Sequence, residues 1–417
     1  MSPQIARYFR LADPAQPLKI LFSGHRGVGK STELHQVIRH LETPESSTRP
    51  FHVVYIDLNA EVNLGDAHLA DVFVAIASVT RTSLSDLELP GFDPVSTLFK
   101  NLWEGVKSTL GGKVNLDELV AEAKVPGTDI GLALKASLKS APGNRQLLRD
   151  AIDQHRVSLL RAINDLFETA NAALAKQGRA GLVLIADGLE RTPIGKQDVI
   201  FGTGADQLAA LKTHAIFTVP INLVYGEHCT QLAQTFGGKN QTVPMIRLKN
   251  PDNTDNPDGL DALNRLLDAR AHNAGVEPDA LFDSPQTRRT LCDITGGHPR
   301  NLLILLQTAI GRCDQLPVSR DAVDYAIREQ TNQLQREIPG EYWQWLLHFA
   351  DGPKTWPNDI PDDVRRALLY YLYVYEYQNG NLYYDVNPAI RLLPRFRLKQ
   401  EQPENRSPAN DAAVASP

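Results

Sequence analysis

The feature that most constrains this chain is a glycine-rich segment near its N-terminus. It runs Gly24-His25-Arg26-Gly27-Val28-Gly29-Lys30-Ser31, after an apolar run at 18–23 and before a segment with apolar residues at helical spacing. Glycines let backbone N–H groups converge on phosphate oxygens, and the start of a helix adds partial positive charge. The pattern therefore predicts a phosphate-binding loop between a strand and a helix, called the phosphate loop below.

The side chains at the end of this loop have distinct predicted roles toward a nucleotide such as ATP or GTP. We expect Lys30 to reach the β- and γ-phosphates, Ser31 to ligate Mg²⁺ through its hydroxyl, and Thr32 to donate toward the α-phosphate. The other predicted cofactor-binding residues are those of the loop itself, Gly24, His25, Arg26, Gly27, Val28 and Gly29.

Strand-like and helix-like segments alternate along the first 250 residues. This order predicts an α/β fold with a five-stranded parallel P-loop sheet and helices on both faces. One long amphipathic helix is expected between Asn144 and Lys176, and the weak pattern at about 83–142, with Ile130, Leu132 and Leu134 alternating, is interpreted as an insertion. The expected strands are 18–23, 51–58, 182–187, 215–218 and, as the fifth, 245–248.

The remainder of the chain predicts smaller, mostly helical parts. Residues 251–336 are expected to form a helical lid domain. Residues 337–399 combine helices with two β-rich runs around Asn379-Gly380, which is the outline of a winged helix. The tail at 400–417, rich in Pro, Ala, Asn and charge, is expected to be disordered.

Three polar residues follow the predicted central strands. Asp187 ends an apolar strand where a carboxylate can hold Mg²⁺ through water, although a strand-terminal Asp can also simply cap a turn. Glu190 is a candidate to activate the attacking water, but Gly188 occupies the place where many ATPases carry that base. Thr218 either senses the γ-phosphate, with Asn222 as an alternative, or belongs to its strand as a β-branched residue.

A second glycine motif runs Gly296-Gly297-His298-Pro299-Arg300. Pro299 suits the first turn of a helix, where its missing N–H costs nothing, so the motif has a purely structural interpretation. Alternatively, a helical domain could bring Arg300 to the phosphates. Arg191, Arg288 and Arg289 could instead serve a neighbouring subunit.

The amino-acid composition is typical of a globular protein rather than a disordered or fibrous one. The 417 residues are 42% hydrophobic and 22% charged, and the net charge of −6 neither implies nor excludes nucleic acid. The three cysteines lack metal-ligand spacing and are expected to be buried thiols rather than disulfides or zinc ligands, which fits a cytoplasmic protein. No apolar run approaches the length of a membrane span, so no membrane association is expected.

Together these motifs resemble the bacterial ATP-binding proteins of the AAA/STAND branch of P-loop ATPases. The resemblance rests on the phosphate loop with Thr32-Glu33-Leu34, on 186–190, on Thr218-Val219-Pro220 and on 296–300, and it spans residues 18 to about 393. It implies an ATP-binding core at 1–250, a helical lid and a closing winged helix. It also implies that His298 and Pro299 touch the nucleotide and that Arg300 is a second-sensor arginine.

One departure from the AAA pattern bears on function. AAA proteins usually carry adjacent Asp-Glu, whereas this chain has Asp187-Gly188 with Glu190 further on, similar to some STAND members. The resemblance therefore favours a slow ATPase that acts as a nucleotide-dependent switch or assembly factor, in a homo-oligomer or hetero-complex, on a separate protein partner or effector, for instance in antiphage defence. The alternative is a DNA-associated ATPase whose winged helix binds duplex DNA through Arg365, Arg366, Arg391, Arg395, Arg397 and Lys399.

Overall fold

The computed structural model describes residues 1–13, 16–43, 48–85, 101, 104–111, 138, 142–350 and 354–396. The chain divides into two units, of which the first is Met1–Val243 and the second begins at Pro244. Most of the expected insertion, including Ile130, Leu132 and Leu134, and the expected disordered tail lie outside the described residues. So do Arg397 and Lys399.

The first unit is built on a five-stranded sheet in which every pair of neighbouring strands is parallel. The strand order is β2-β3-β4-β1-β5, which confirms the predicted AAA-like P-loop sheet. Every residue of β1, β3 and β4 is buried, as expected of central strands covered on both faces. The strands are β1 Lys19–Ser23, β2 Phe51–Asp57, β3 Gly181–Asp187, β4 His214–Thr218 and β5 Asn240–Thr242.

The prediction of the fifth strand was wrong. The apolar run Met245–Leu248 does not form a strand, and the sheet is completed by Asn240–Thr242, which pairs with Leu21–Ser23. The residues of β5 are polar and only half-buried. An edge strand has one hydrogen-bonded neighbour and a solvated side, so it needs no apolar side chains, and hydrophobicity could not locate it.

Helices cover both faces of this sheet, as predicted. One face packs against α1 (Ser2–Leu11) and α2 (Lys30–Glu42), with Ile5, Phe9 and Leu34 in the shared core. The other face packs against α3 (Leu69–Ser85), α4 (Pro142–Gln154), α5 (Arg156–Lys176) and α6 (Gly226–Phe236). The analysis of the sequence did not predict α1, although Ile5 and Phe9 have helical spacing.

The expected long helix at 144–176 is two helices, since α4 and α5 are separated at His155. The N–H of His155 bonds to the carbonyl of Ile152, three residues earlier, so the α-helical pattern is interrupted there. In α4 the buried Arg149 bonds to both carboxylate oxygens of Asp71, and its Nη1 lies 2.9 Å from Asp66. These ion pairs fix α4 against the segment that follows β2.

The second unit consists of helices followed by a hairpin, as the sequence predicted. Its core gathers apolar residues from four helices, α7 (Pro257–Asn273), α8 (Pro285–Ile294), α9 (Pro299–Ile310) and α10 (Arg320–Glu337). A further helix, α11 (Asp362–Tyr370), precedes an antiparallel hairpin, which turns at Gly380 with a φ of +72°. The hairpin strands are β6 Val374–Asn379 and β7 Asn381–Val386.

Short helices connect these elements. Within the described ranges, no helix is both long and apolar enough to cross a membrane. The short helices, of three to six residues, are Leu58–Glu61, Leu64–Asp66, Leu189–Arg191, Ile194–Gln197, Asp198–Gly202, Ala205–Ala209, Ile221–Val224, Pro278–Ala280, Gly340–Tyr342, Trp343–His348 and Pro388–Arg391.

Candidate nucleotide site

The phosphate loop connects β1 to α2 at the carboxyl edge of the sheet. Gly24, Gly27 and Gly29 all have positive φ, with values of +140°, +88° and +104°. At Gly24 a side chain would also collide, because a Cβ there would lie 2.9 Å from the carbonyl oxygen of Val243. The glycine spacing is therefore required by backbone conformation and close packing, in the strand-to-helix position that a phosphate-binding loop needs.

Lys30 begins α2 and folds back over the loop. Its Nζ donates to the carbonyl oxygens of Gly24 and His25, at 3.0 Å each, and lies 3.8 Å from Oε1 of Glu190. The lysine side chain is almost fully buried. Burial leaves an ammonium group weakly screened by solvent, so this charge can act strongly on an anion held by the loop.

Asp187 lies at the end of β3, beside the loop. Its carboxylate is 2% exposed, and Oδ2 accepts a hydrogen bond of 2.8 Å from the hydroxyl of Tyr55 on β2. Its other oxygen, Oδ1, is buried and has no hydrogen-bond partner among the described residues. A buried carboxylate oxygen without a donor is costly, and a cation or its water would satisfy it.

The backbone conformation after Asp187 favours glycine. Gly188 has a φ of +104°, and a Cβ there would lie 2.6 Å from Nδ2 of Asn59. The acid of the usual Asp-Glu pair would be strained in this conformation, and the side chain of Asn59 would have to move to make room for it. The structure places Glu190 in the next short helix instead, buried and directed at Lys30.

Thr218 ends β4, and its hydroxyl is engaged with the backbone around Asp187. Its Oγ1 accepts from the N–H of Gly188 at 2.9 Å. It therefore holds the turn after β3. Asn222, the alternative sensor, is fully buried and pairs its amide with that of Gln197, with Nδ2 donating to Oε1 at 2.7 Å.

The remaining loop residues differ in exposure. Ser31 and Thr32 are exposed on the first turn of α2, whereas His25 and Val28 are buried and Arg26 is half-buried.

The structure brings the loop, Lys30, Asp187, Glu190 and Thr218 together at one edge of one sheet, because the carboxyl ends of parallel strands meet there.

The second glycine motif lies in the second unit. His298 is fully buried, accepts from the N–H of Asn301 through Nδ1 as the N-cap of α9, and stacks on Tyr375. Pro299 occupies the first turn of α9, and Arg300 is exposed next to it. His298 thus has a structural role as a helix cap, and its predicted contact with a nucleotide stays a prediction, as do those of Pro299 and Arg300.

The other charged candidates of the second unit are mostly engaged with acids. Arg288 bonds to Asp268 and Arg289 to Asp293. In the segment predicted to bind DNA, Arg365 pairs with Asp362, and Lys354 and Arg391 both pair with Asp385. The tyrosines between 370 and 384 are buried except Tyr371, as expected for hairpin packing.

The side chains near the phosphate loop could provide the protein oxygens for one metal ion. The described residues contain no cluster of three His, Cys, Asp or Glu side chains that could hold a metal by themselves. Mg²⁺ at nucleotide sites needs only one or two protein oxygens, since phosphates and water supply the rest. Asp187 with its unpartnered oxygen and Ser31 fit that requirement. The three cysteines are free thiols, as predicted, but the prediction that they are buried was wrong for Cys229 and Cys313, which are half-buried, and right for Cys292.

Three residues of this site were missed in the sequence. Tyr55 bonds to Asp187, Asn59 blocks a side chain at Gly188, and Asp57 lies opposite Asp187 in the strand register. The carboxylate of Asp57 is exposed and accepts from the backbone and side chain of Asn59, so it is already used as a helix cap. The available signal was the end of β2, since neighbouring parallel strands end at the same edge.

The chain has a weak overall similarity to one solved structure described below. No family model and no curated protein matches the chain. Among solved structures, the crystal structure of Cdc6p from Pyrobaculum aerophilum is similar, with 13% identity and a TM-score of 0.37 over 95% of this chain and 91% of that one. The fold assignment rests on the strand order and phosphate loop of this chain.

Proposed function

We propose that this chain binds ATP with Mg²⁺ and hydrolyses it slowly, as an AAA/STAND-type switch or assembly ATPase that controls a partner protein. The observation that carries the proposal is the buried Lys30, held over a loop of three positive-φ glycines and facing Glu190, which follows β3. Backbone N–H groups, a helix start and a buried ammonium form a site for a polyphosphate. Mg²⁺ would be held by Ser31 and Asp187 and would supply charge neutralisation.

The switch role is supported by the surroundings of Glu190, the candidate base. An acid in place of Gly188 would be strained, and Glu190, the remaining candidate, faces Lys30 across 3.8 Å. A base that is paired with the loop lysine has to be released before it can orient water, which favours slow turnover. A bacterial antiphage system with a separate effector is the setting that the resemblance suggests.

DNA association has less support. The basic residues expected to face DNA include Arg365 and Arg391, which are paired with Asp362 and Asp385. Phosphate binding would have to compete with those acids.

The first test is Lys30→Ala with ATP binding as the measurement. We expect ATP affinity to fall by about a hundredfold or more, because the charge opposite the phosphates is lost. The matched control is Lys212→Ala, a solvent-exposed lysine of the same unit that pairs with Glu168 and should leave affinity unchanged. Unchanged affinity in folded Lys30→Ala would refute the site.

The second test is the size of the full chain in solution with and without ATP, Mg²⁺ and duplex DNA. An ATP-dependent change in assembly without DNA would support the switch. A change that requires DNA would support the alternative.

A further inference from the structure

Tyr55 is placed by the strand register to reach the carboxylate of Asp187. It lies opposite Ile185 on β3, two residues before Asp187 on the same face of the sheet. Two residues of strand span roughly 6.6 Å, which a phenol side chain lying along the strand can cover. The resulting hydrogen bond from the Tyr55 hydroxyl to Oδ2 is 2.8 Å long.

This hydrogen bond divides the carboxylate into two different oxygens. Oδ2 is taken by Tyr55, whereas Oδ1 is buried without a partner in the described part of the chain. A carboxylate can otherwise rotate about χ2 over a broad range of angles. The donor on one oxygen limits that rotation, so the other oxygen keeps one direction.

The ring of Tyr55 is itself held in place. It packs against His35 of α2, with ring centroids 4.9 Å apart, and it belongs to the apolar layer beneath that helix. The hydroxyl is therefore fixed relative to both α2, which begins at Lys30, and β3. By contrast, the other acid at this edge, Asp57, is exposed and bonded to Asn59, so no comparable arrangement exists there.

We infer that Tyr55 is a positioning residue for the divalent cation of the bound nucleotide. It orients Asp187 so that Oδ1 is presented to the metal or to its water. The inference rests on the proposed function, since it concerns the same site. A positioning role and a purely structural role of the Tyr55 hydroxyl predict different results. A hydroxyl that only stabilised the fold would not affect how the metal strengthens nucleotide binding.

The test compares ATP dissociation constants measured with and without Mg²⁺ by using a fluorescent ATP analogue. Tyr55→Phe keeps the ring and removes the donor, so metal-free affinity should stay within about twofold of wild type while the Mg²⁺ concentration at half-maximal tightening rises about tenfold. Tyr55→Leu should give the same result if Tyr55→Phe does not fold. The control is Tyr8→Phe, because the hydroxyl of Tyr8 accepts a hydrogen bond from the exposed Gln4 and none from a residue of the candidate site among the described residues.

Asp187→Ala separates the possible failures. If it loses the Mg²⁺ effect but Tyr55→Phe and Tyr55→Leu keep the wild-type Mg²⁺ concentration at half-maximal tightening, the positioning role is overturned and the proposed function stands. If wild type shows no tightening by Mg²⁺, the metal part of the proposed function fails and the inference fails with it. The inference is supported if Asp187→Ala loses the tightening of ATP binding by Mg²⁺, Tyr55→Phe needs about tenfold more Mg²⁺ for half-maximal tightening, and Tyr8→Phe behaves like wild type.

Discussion

At the scale of single residues, the candidate site depends on a few buried polar atoms that face one another. Lys30 and Glu190 are 4% and 6% exposed, and each has the other as a charged neighbour within 4 Å. Burying two charges is favourable only when they compensate each other. A nucleotide phosphate would compete with Glu190 for the lysine, so binding and the availability of the base are coupled.

Glu190→Gln tests this coupling. We expect ATP to bind at least as tightly as to wild type, because the amide no longer competes as an anion for Lys30. Hydrolysis should fall about a hundredfold or more if Glu190 is the base, leaving ATP bound but uncleaved.

The measurement for Glu190→Gln is single-turnover hydrolysis at saturating ATP, which separates chemistry from product release. A fall of less than about threefold, or roughly 0.65 kcal/mol of barrier, would reject Glu190 as the base. In that outcome, slow hydrolysis reflects the absence of an acid at Gly188, and the chain acts as a binding switch.

At the scale of elements, the second glycine motif shows what a turn between two helices requires. Gly297 follows α8 with a φ of +88°, and a Cβ there would lie 1.8 Å from the carbonyl oxygen of Ile246. No side-chain rotation can relieve that collision, because both atoms belong to, or are fixed by, the backbone. The motif is thus explained by packing before any contact with a nucleotide is invoked.

Gly297→Ala should therefore destabilise the second unit by about 3 kcal/mol or more, since it combines positive φ with a backbone collision. The matched control is Gly275→Ala in the same unit, at φ +72° with no atom within 4 Å of the added Cβ. That variant should cost only about 1–2 kcal/mol. Denaturant unfolding measures the free energy of unfolding of both variants. Equal losses of stability in the two would contradict the claim that the collision at Gly297 adds to the strain of positive φ.

At the scale of the whole molecule, the two units carry buried groups that respond to pH in opposite directions. Burial, and the nearby Lys19, lower the pKa of His214 in the first unit to about 4. Burial raises the pKa of Glu376 in the second unit to about 7. Unfolding would restore ordinary values to both groups.

The sign of each effect follows from proton uptake. Between about pH 4 and 6.5, unfolded His214 binds a proton that the folded residue does not, so its contribution to stability falls as pH falls. Between about pH 4.5 and 7, folded Glu376 binds a proton that the unfolded residue does not, so stability falls as pH rises.

Two variants test these opposite contributions. Glu376→Gln should stabilise the second unit above pH 7 and have little effect below pH 4.5. His214→Asn keeps an acceptor for the N–H of Leu18, and it should reduce the loss of stability that accompanies a fall in pH below 6.5. Urea unfolding across this pH range is the measurement. Tryptophan fluorescence serves for Glu376→Gln, because three of the four tryptophans, Trp343, Trp345 and Trp356, lie in the second unit, and far-ultraviolet circular dichroism, which also follows the helices of the first unit, serves for His214→Asn. Parallel pH profiles for wild type and both variants would contradict the assignment.

Local chemistry in the sequence determined much of this protein. The phosphate loop, the apolar central strands and the hairpin at Gly380 were all predictable, because glycine spacing, continuous hydrophobicity and a turn dipeptide act over a few residues. The same signals predicted Asp187 and Thr218 at strand ends. The AAA-like sheet followed from the order of strands and helices.

Only the tertiary structure decided which residues meet across the sheet. The polar β5 is a strand because β1 offers it an edge, and Tyr55 matters because its strand lies next to β3. Glu190 faces Lys30 through a contact between segments far apart in the sequence. Such pairings depend on strand order and register, which local sequence patterns do not encode.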